Sequence, residues 1–155
     1  MELKTKVHAE DGKQELTITR VFELPVRLLF RAYEDADIFA QWMGTKVLKY
    51  ESCRHGSYSF ETNGPDGNVA FRASGVFHEF LTDKKIIRTF EMEDAAFGVQ
   101  LEFLEFESLT NYTSKLTMHI VYRSGDVRDQ MLKLPFAYGI SMAHDRLEEI
   151  VSKVK

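Results

Sequence analysis

The chain has 155 residues, a formal charge of −4, and 44% hydrophobic against 28% charged residues. That balance describes one domain that buries roughly 70% of the surface its unfolded chain exposes. With no Lys/Arg stripe and no apolar run near the ~20 residues that cross a bilayer, nucleic-acid binding and membrane insertion are both excluded.

Residues 1–13 are polar, lack a signal peptide's apolar core, and close on an Asp11-Gly12 turn signal. Glu15 to Phe22 alternates Leu16, Ile18 and, less cleanly, Arg20 against Thr17, Thr19 and Val21, which predicts a first strand. Pro25 stops it and opens a short amphipathic helix, VRLLFRAYED. Asp35 or Asp37 caps a second, IFAQWM, which ends at Gly44.

The next hundred residues read as an antiparallel meander. Strands are predicted over 46–52, 56–62, 68–80, 85–92, 99–106 and 112–122, separated by turn chemistry such as Asn63-Gly64-Pro65-Asp66-Gly67. Gly75 in mid-strand marks an expected bulge or bend. Leu101, Phe103, Leu104 and Phe106 break the alternation, so the inward face of that strand stays open.

The segment 134–154 predicts one long amphipathic helix. Phe136, Gly139/Ile140, Ala143, Leu147, Ile150 and Val154 form its apolar stripe, and Pro135 fits its first turn. Asp126 to Lys133 adds a helical turn or two before it, with an interruption at Pro135.

The order β-α-α-β-β-β-β-β-β-α, with seven antiparallel strands, covers a long helix only if the sheet curves around it. The predicted architecture is therefore α+β: a curved seven-stranded sheet gripping the C-terminal helix across a hollow. Candidate fillers of that hollow are Tyr58, Phe60, Phe71, Phe77, Phe90, Phe103, Met118, Tyr138 and Met142, with Trp42 closing one end. Either these side chains plug the space, or water or a small hydrophobic or aromatic molecule occupies it.

The stretch LTITRVFELPVRLLFRAYEDADIFAQWMG resembles the opening of the activator of heat-shock-protein-90 ATPase homologue family. Arg20, Phe22, Pro25, Asp35, Trp42 and Gly44 carry the likeness. The strands from HGSYSFE to KKIIRTFEME and the end YGISMAHDRLEEIV are similar to the same family. The resemblance implies the START-like superfamily and its helix-grip fold, shared with birch-pollen-allergen relatives, polyketide cyclases and lipid-transfer domains. Two residues depart from the family pattern: Met43 and Ile140 stand where it often carries Trp. Both exchanges imply a larger or reshaped pocket.

The chemical groups narrow the function. His8, His55, His78, His119 and His144 show no metal-ligand spacing, and no cofactor motif is present. Cys53 and His55 lack an oxyanion loop, and the single cysteine points to a reduced, cytoplasmic setting. His78, Arg88, Glu91, Glu102, His119 and Tyr122 lie on central strands, where alternation sends about half outward. An inward Arg88 would anchor an acidic head-group. Three functions follow in order: a module for small hydrophobic ligands, a cyclase- or aromatase-like enzyme using an inward ionisable group, and a chaperone-linked protein, the last implied by the family name alone.

Overall fold

A computed structural model describes residues 3–93 and 95–154. Glu15–Phe22 forms a strand as expected, and the preceding tail adds a short one. With β1 (Lys6–His8) and β2 (Glu15–Phe22) numbered first, the meander supplies β3 (Lys46–Tyr50), β4 (Ser57–Asn63), β5 (Val69–Leu81), β6 (Lys85–Met92), β7 (Val99–Ser108) and β8 (Ser114–Val121). All are antiparallel in one open sheet, ordered β1-β2-β8-β7-β6-β5-β4-β3. The strand count is therefore eight rather than seven. A three-residue strand has too little alternation to be legible, and it is held by pairing Lys6 with Thr19 and His8 with Thr17.

Two helices, α1 (Val26–Glu34) and α2 (Ala36–Met43), follow β2. The Asp35 carboxylate accepts from the Asp37 and Ile38 amides at 2.9 and 3.1 Å, and Gly44 ends α2 in the left-handed conformation. Trp42 donates its indole N–H to the Ala32 carbonyl (2.8 Å), and its own carbonyl accepts from Arg146 Nε (3.0 Å). One residue thus joins both short helices to the last one.

The C-terminal region is two helices, α3 (Gly125–Lys133) and α4 (Phe136–Val151). The single long helix predicted over 134–154 is shorter because Leu134 turns extended and Pro135 precedes α4 instead of occupying its first turn. Ala143, Leu147 and Val151 of α4 are buried. On the sheet, Leu16, Ile18 and Phe22 of β2 and Leu116, Met118 and Ile120 of β8 are buried as well. This is the helix-grip arrangement.

Gly75 is not the irregular point of its strand. The β5–β6 register shifts between Phe77 and Glu79 instead. Gly75 serves a close approach: a Cβ there would lie 2.0 Å from the Thr89 carbonyl oxygen and 2.7 Å from the Tyr58 hydroxyl. That hydroxyl crosses beneath Gly75 to donate to Thr89 at 2.6 Å.

Candidate ligand cavity

Between sheet and helices lies a partly enclosed cavity of about 200 Å³. Alternation along the strands aims its walls. Tyr58 and Phe60 come from β4, Arg88 and Phe90 from β6, Gln100 and Glu102 from β7, and Met118 and Ile120 from β8. The helices add Tyr33, Phe39 and Trp42 from the first pair, and Met131, Phe136 and Ile140 from the last. Half-buried Met43, Phe90, Met92, Phe136 and Ile140 mark its open side. Four of the chain's six methionines line it, which gives it deformable walls.

Six of the predicted fillers belong to this cavity: Trp42, Tyr58, Phe60, Arg88, Phe90 and Met118. Five do not. Tyr138 and Met142 are 60% and 38% exposed. Each lies two residues past a lining residue, Phe136 or Ile140, a rotation of about 200° on a helix, and so faces away. Phe103 lies on the outer face of the sheet and stacks on His119, centroids 5.7 Å apart. Phe77 is fully buried but sits in the core, stacked on Tyr58 at 4.8 Å. Phe71, near the start of β5, only touches Phe60 edge-on at 6.4 Å.

The phase of β7 has a physical reason. Leu104 and Phe106 turn inward, and Phe106 packs edge-on against Phe30 (4.9 Å) and Tyr33 (5.6 Å) of α1. The same phase carries Gln100 and Glu102 inside, and Glu102 stands directly opposite Arg88 in the β6–β7 register. An anion and a cation entering together offset part of their desolvation cost.

This pair is the polar spot on an otherwise apolar wall. Arg88 Nε donates to Glu102 Oε1 at 2.8 Å, and Gln100 Nε2 donates to Glu102 Oε2 at 2.6 Å. The guanidinium carbon lies 5.7 and 5.6 Å from the Tyr33 and Tyr58 ring centres. Burial, the largest influence, opposes the Arg88 charge, but Glu102 together with Tyr58, Tyr50 and Tyr33 more than offsets it and holds its pKa above the ordinary value. Burial likewise raises the pKa of Tyr33, Tyr58 and Tyr122, so all three stay protonated and can donate hydrogen bonds. Among the described residues, buried Arg88 Nη1 has no hydrogen-bond partner.

Of the other ionisable candidates, Glu102 and Tyr122 line the cavity, whereas His78, Glu91 and His119 do not. Cys53 and His55 are exposed in the loop before β4. The sequence reading drew most of its lining from strands and, from the helices, only Trp42, Tyr138 and Met142, and so missed Tyr33, Phe39 and Met131. It had already placed Phe136 and Ile140 on the α4 stripe, the signal that could have put them here.

The long helix held against an antiparallel sheet, with an apolar cavity between them, defines a START-like helix-grip protein. The family described as Activator of Hsp90 ATPase homolog 1-like protein matches residues 23–152, and the chain belongs to it. The fold is shared with a crystal structure of a protein from Rhodobacter sphaeroides, at TM-score 0.83 and 17% identity, covering 97% of this chain and 100% of that one. It is shared equally with a protein from Mycobacterium smegmatis, at TM-score 0.83 and 18% identity, covering 97% and 98%. A protein from Nitrosomonas europaea aligns at TM-score 0.78 and 20% identity, covering 93% and 97%. No functionally curated protein matches significantly in sequence. Among the described residues, no helix is long and apolar enough to cross a membrane.

Proposed function

We propose that this protein binds a small hydrophobic or aromatic molecule in the cavity between sheet and helices. The observation that carries the reading is the cavity itself: about 200 Å³, walled by aromatic, aliphatic and thioether side chains, with one polar spot. An enclosed, dry apolar void of about 200 Å³ would cost about 5 kcal/mol, whereas the open side of this cavity admits water or a ligand. Such a cost rivals the roughly 5–15 kcal/mol by which a domain is stable. An occupant removes the cost.

Binding is favoured over proton-transfer catalysis because the one inward carboxylate is already engaged. Both Glu102 oxygens accept hydrogen bonds, from Arg88 and Gln100. A general base needs a lone pair aimed at the proton it removes, and the Glu102 oxygens are turned to Arg88 and Gln100, while burial keeps the lining tyrosines protonated. The single cysteine is consistent with work in a reducing cytoplasm. Association with a chaperone, which the family description suggests, is a separate reading that a pull-down with the cognate chaperone tests.

The cavity reading is tested by native mass spectrometry and thermal shift against mono- and bicyclic aromatic compounds, with Ile140→Trp as a plugged variant. Bound complexes and a raised Tm in the wild type, both lost in the folded I140W protein, are expected. Failure of every compound to bind, or unchanged binding by I140W, would overturn it.

A further inference from the structure

We infer that the cavity selects a one- or two-ring apolar molecule carrying a neutral hydrogen-bond acceptor, such as a ketone oxygen, which pairs with the spare face of Arg88. This rests on the ligand-binding reading above and names the class of ligand. Size sets the first limit. Benzene fills an engineered apolar cavity of about 150 Å³, so about 200 Å³ suits one ring or two fused rings. A sterol or a long acyl chain would not fit inside it whole.

The polar spot sets the second limit. The Arg88 side chain is 9% exposed, its Nε is committed to Glu102, and its buried Nη1 has no partner among the described residues. A buried donor without an acceptor is costly, and more so when it is charged. Tyr33 and Tyr58 offer the guanidinium their ring faces, which do not accept a hydrogen bond in its plane. Nη1 is shielded from the cavity as it stands, so a ligand acceptor meets it when the guanidinium turns toward that space, and it then supplies the acceptor that the lining lacks.

Charge sets the third limit. Arg88 and Glu102 are the only formally charged residues of the lining, and they cancel. A ligand carboxylate would put two anions around one cation in a medium that screens poorly. A carbonyl oxygen meets the same N–H without adding charge. This revises the acidic head-group that an inward Arg88 implies when considered without Glu102.

The test is calorimetric titration with matched probes: tetralin, α-tetralone and a tetralin carboxylate, with ethylbenzene and acetophenone as the one-ring pair. Wild-type protein is expected to bind each ketone about tenfold to a hundredfold more tightly than its hydrocarbon, the range for one hydrogen bond to a charged group. The carboxylate is expected to bind more weakly than the ketone. The double variant R88M/E102M, which replaces the buried pair by side chains of similar volume, should fold and lose the ketone preference. Equal wild-type affinity for ketone and hydrocarbon, tightest binding by the carboxylate, or a folded double variant that keeps the preference would overturn this inference while leaving the cavity reading intact. No binding by any probe would overturn both.

Discussion

Two buried arginines do opposite work in this molecule. Arg20 lies on the inner face of β2, where its Nη1 reaches Asp145 at 2.6 Å and its Nη2 reaches Glu148 at 2.7 Å, both on α4. Nη1 also contacts Thr5 Oγ1 (3.3 Å) and the Ser141 carbonyl (3.5 Å). Arg88 lies three strands away in the sheet, with one carboxylate partner and an unused Nη1. The first commits both Nη groups to locking helix to sheet, while its buried Nε, like Arg88 Nη1, has no partner among the described residues. The second keeps donors in reserve on a cavity wall. The same residue type is a clamp where carboxylates converge on it and, in the reading proposed above, a recognition element on the cavity wall. Arg20 belongs to the Arg-x-Phe pattern that resembled the family, so that pattern marks the clamp and not the site.

The sharpest way to separate the two is to delete each. Arg88→Met leaves Glu102 buried without its cation and should cost about 3–5 kcal/mol in urea unfolding. Adding Glu102→Met should return most of that loss, because the apolar pair no longer strands a charge. Arg20→Met should cost about 2–4 kcal/mol, somewhat less than a fully buried pair, because Asp145 and Glu148 are 47% and 17% exposed and can turn to water. Equal rescue of R20M by any single apolar change on α4 would erase the distinction. Gly75→Ala should cost about 1–3 kcal/mol by overpacking, since the new methyl meets the Thr89 carbonyl and the Tyr58 hydroxyl. Its Tyr58 is expected to lose the bond to Thr89, loosening the cavity beside Arg88 but not the clamp.

The smallest effect concerns His144, the neighbour of the Arg20 clamp. Burial, then Arg20, push its pKa down to about 3, and Asp145 opposes them weakly. Its Nδ1 meets Thr5 Oγ1 at 2.9 Å. The unfolded chain takes up this proton near pH 6.5 and the folded chain only near 3. Stability from this group is therefore complete above 6.5 and falls as pH drops through that window, by about 1.4 kcal/mol per unit. Urea midpoints at pH 7 and pH 5 should show about 2 kcal/mol of acid loss that His144→Gln removes. Ligand affinity at Arg88 should not follow that change.

Elements decided by local chemistry were legible from sequence. The strand at Glu15–Phe22, the Asp35 cap and the Gly44 stop follow from the residues at those positions. Features decided by partners far along the chain were not. Lys6–His8 becomes a strand only because β2 has a free edge. The phase of β7 was ambiguous because both its faces are apolar, and Phe30, Tyr33 and Arg88 settle it. About a third of the cavity wall was named in advance, most of it on β4, β6 and β8, where alternation is clean. The helical half went astray at Tyr138 and Met142 through choosing large side chains over those on the inward stripe.

The thioethers around the opening carry a consequence of their own. Met43 and Met92 are half-buried there, within reach of peroxide. Oxidation to the sulfoxide turns a soft apolar side chain into a polar one. Two added oxygens at the rim would draw water inward and compete with any carbonyl for Arg88. Under oxidative stress the proposed preference for a ketone over its hydrocarbon would thus be blunted, at a distance from the Arg20 clamp.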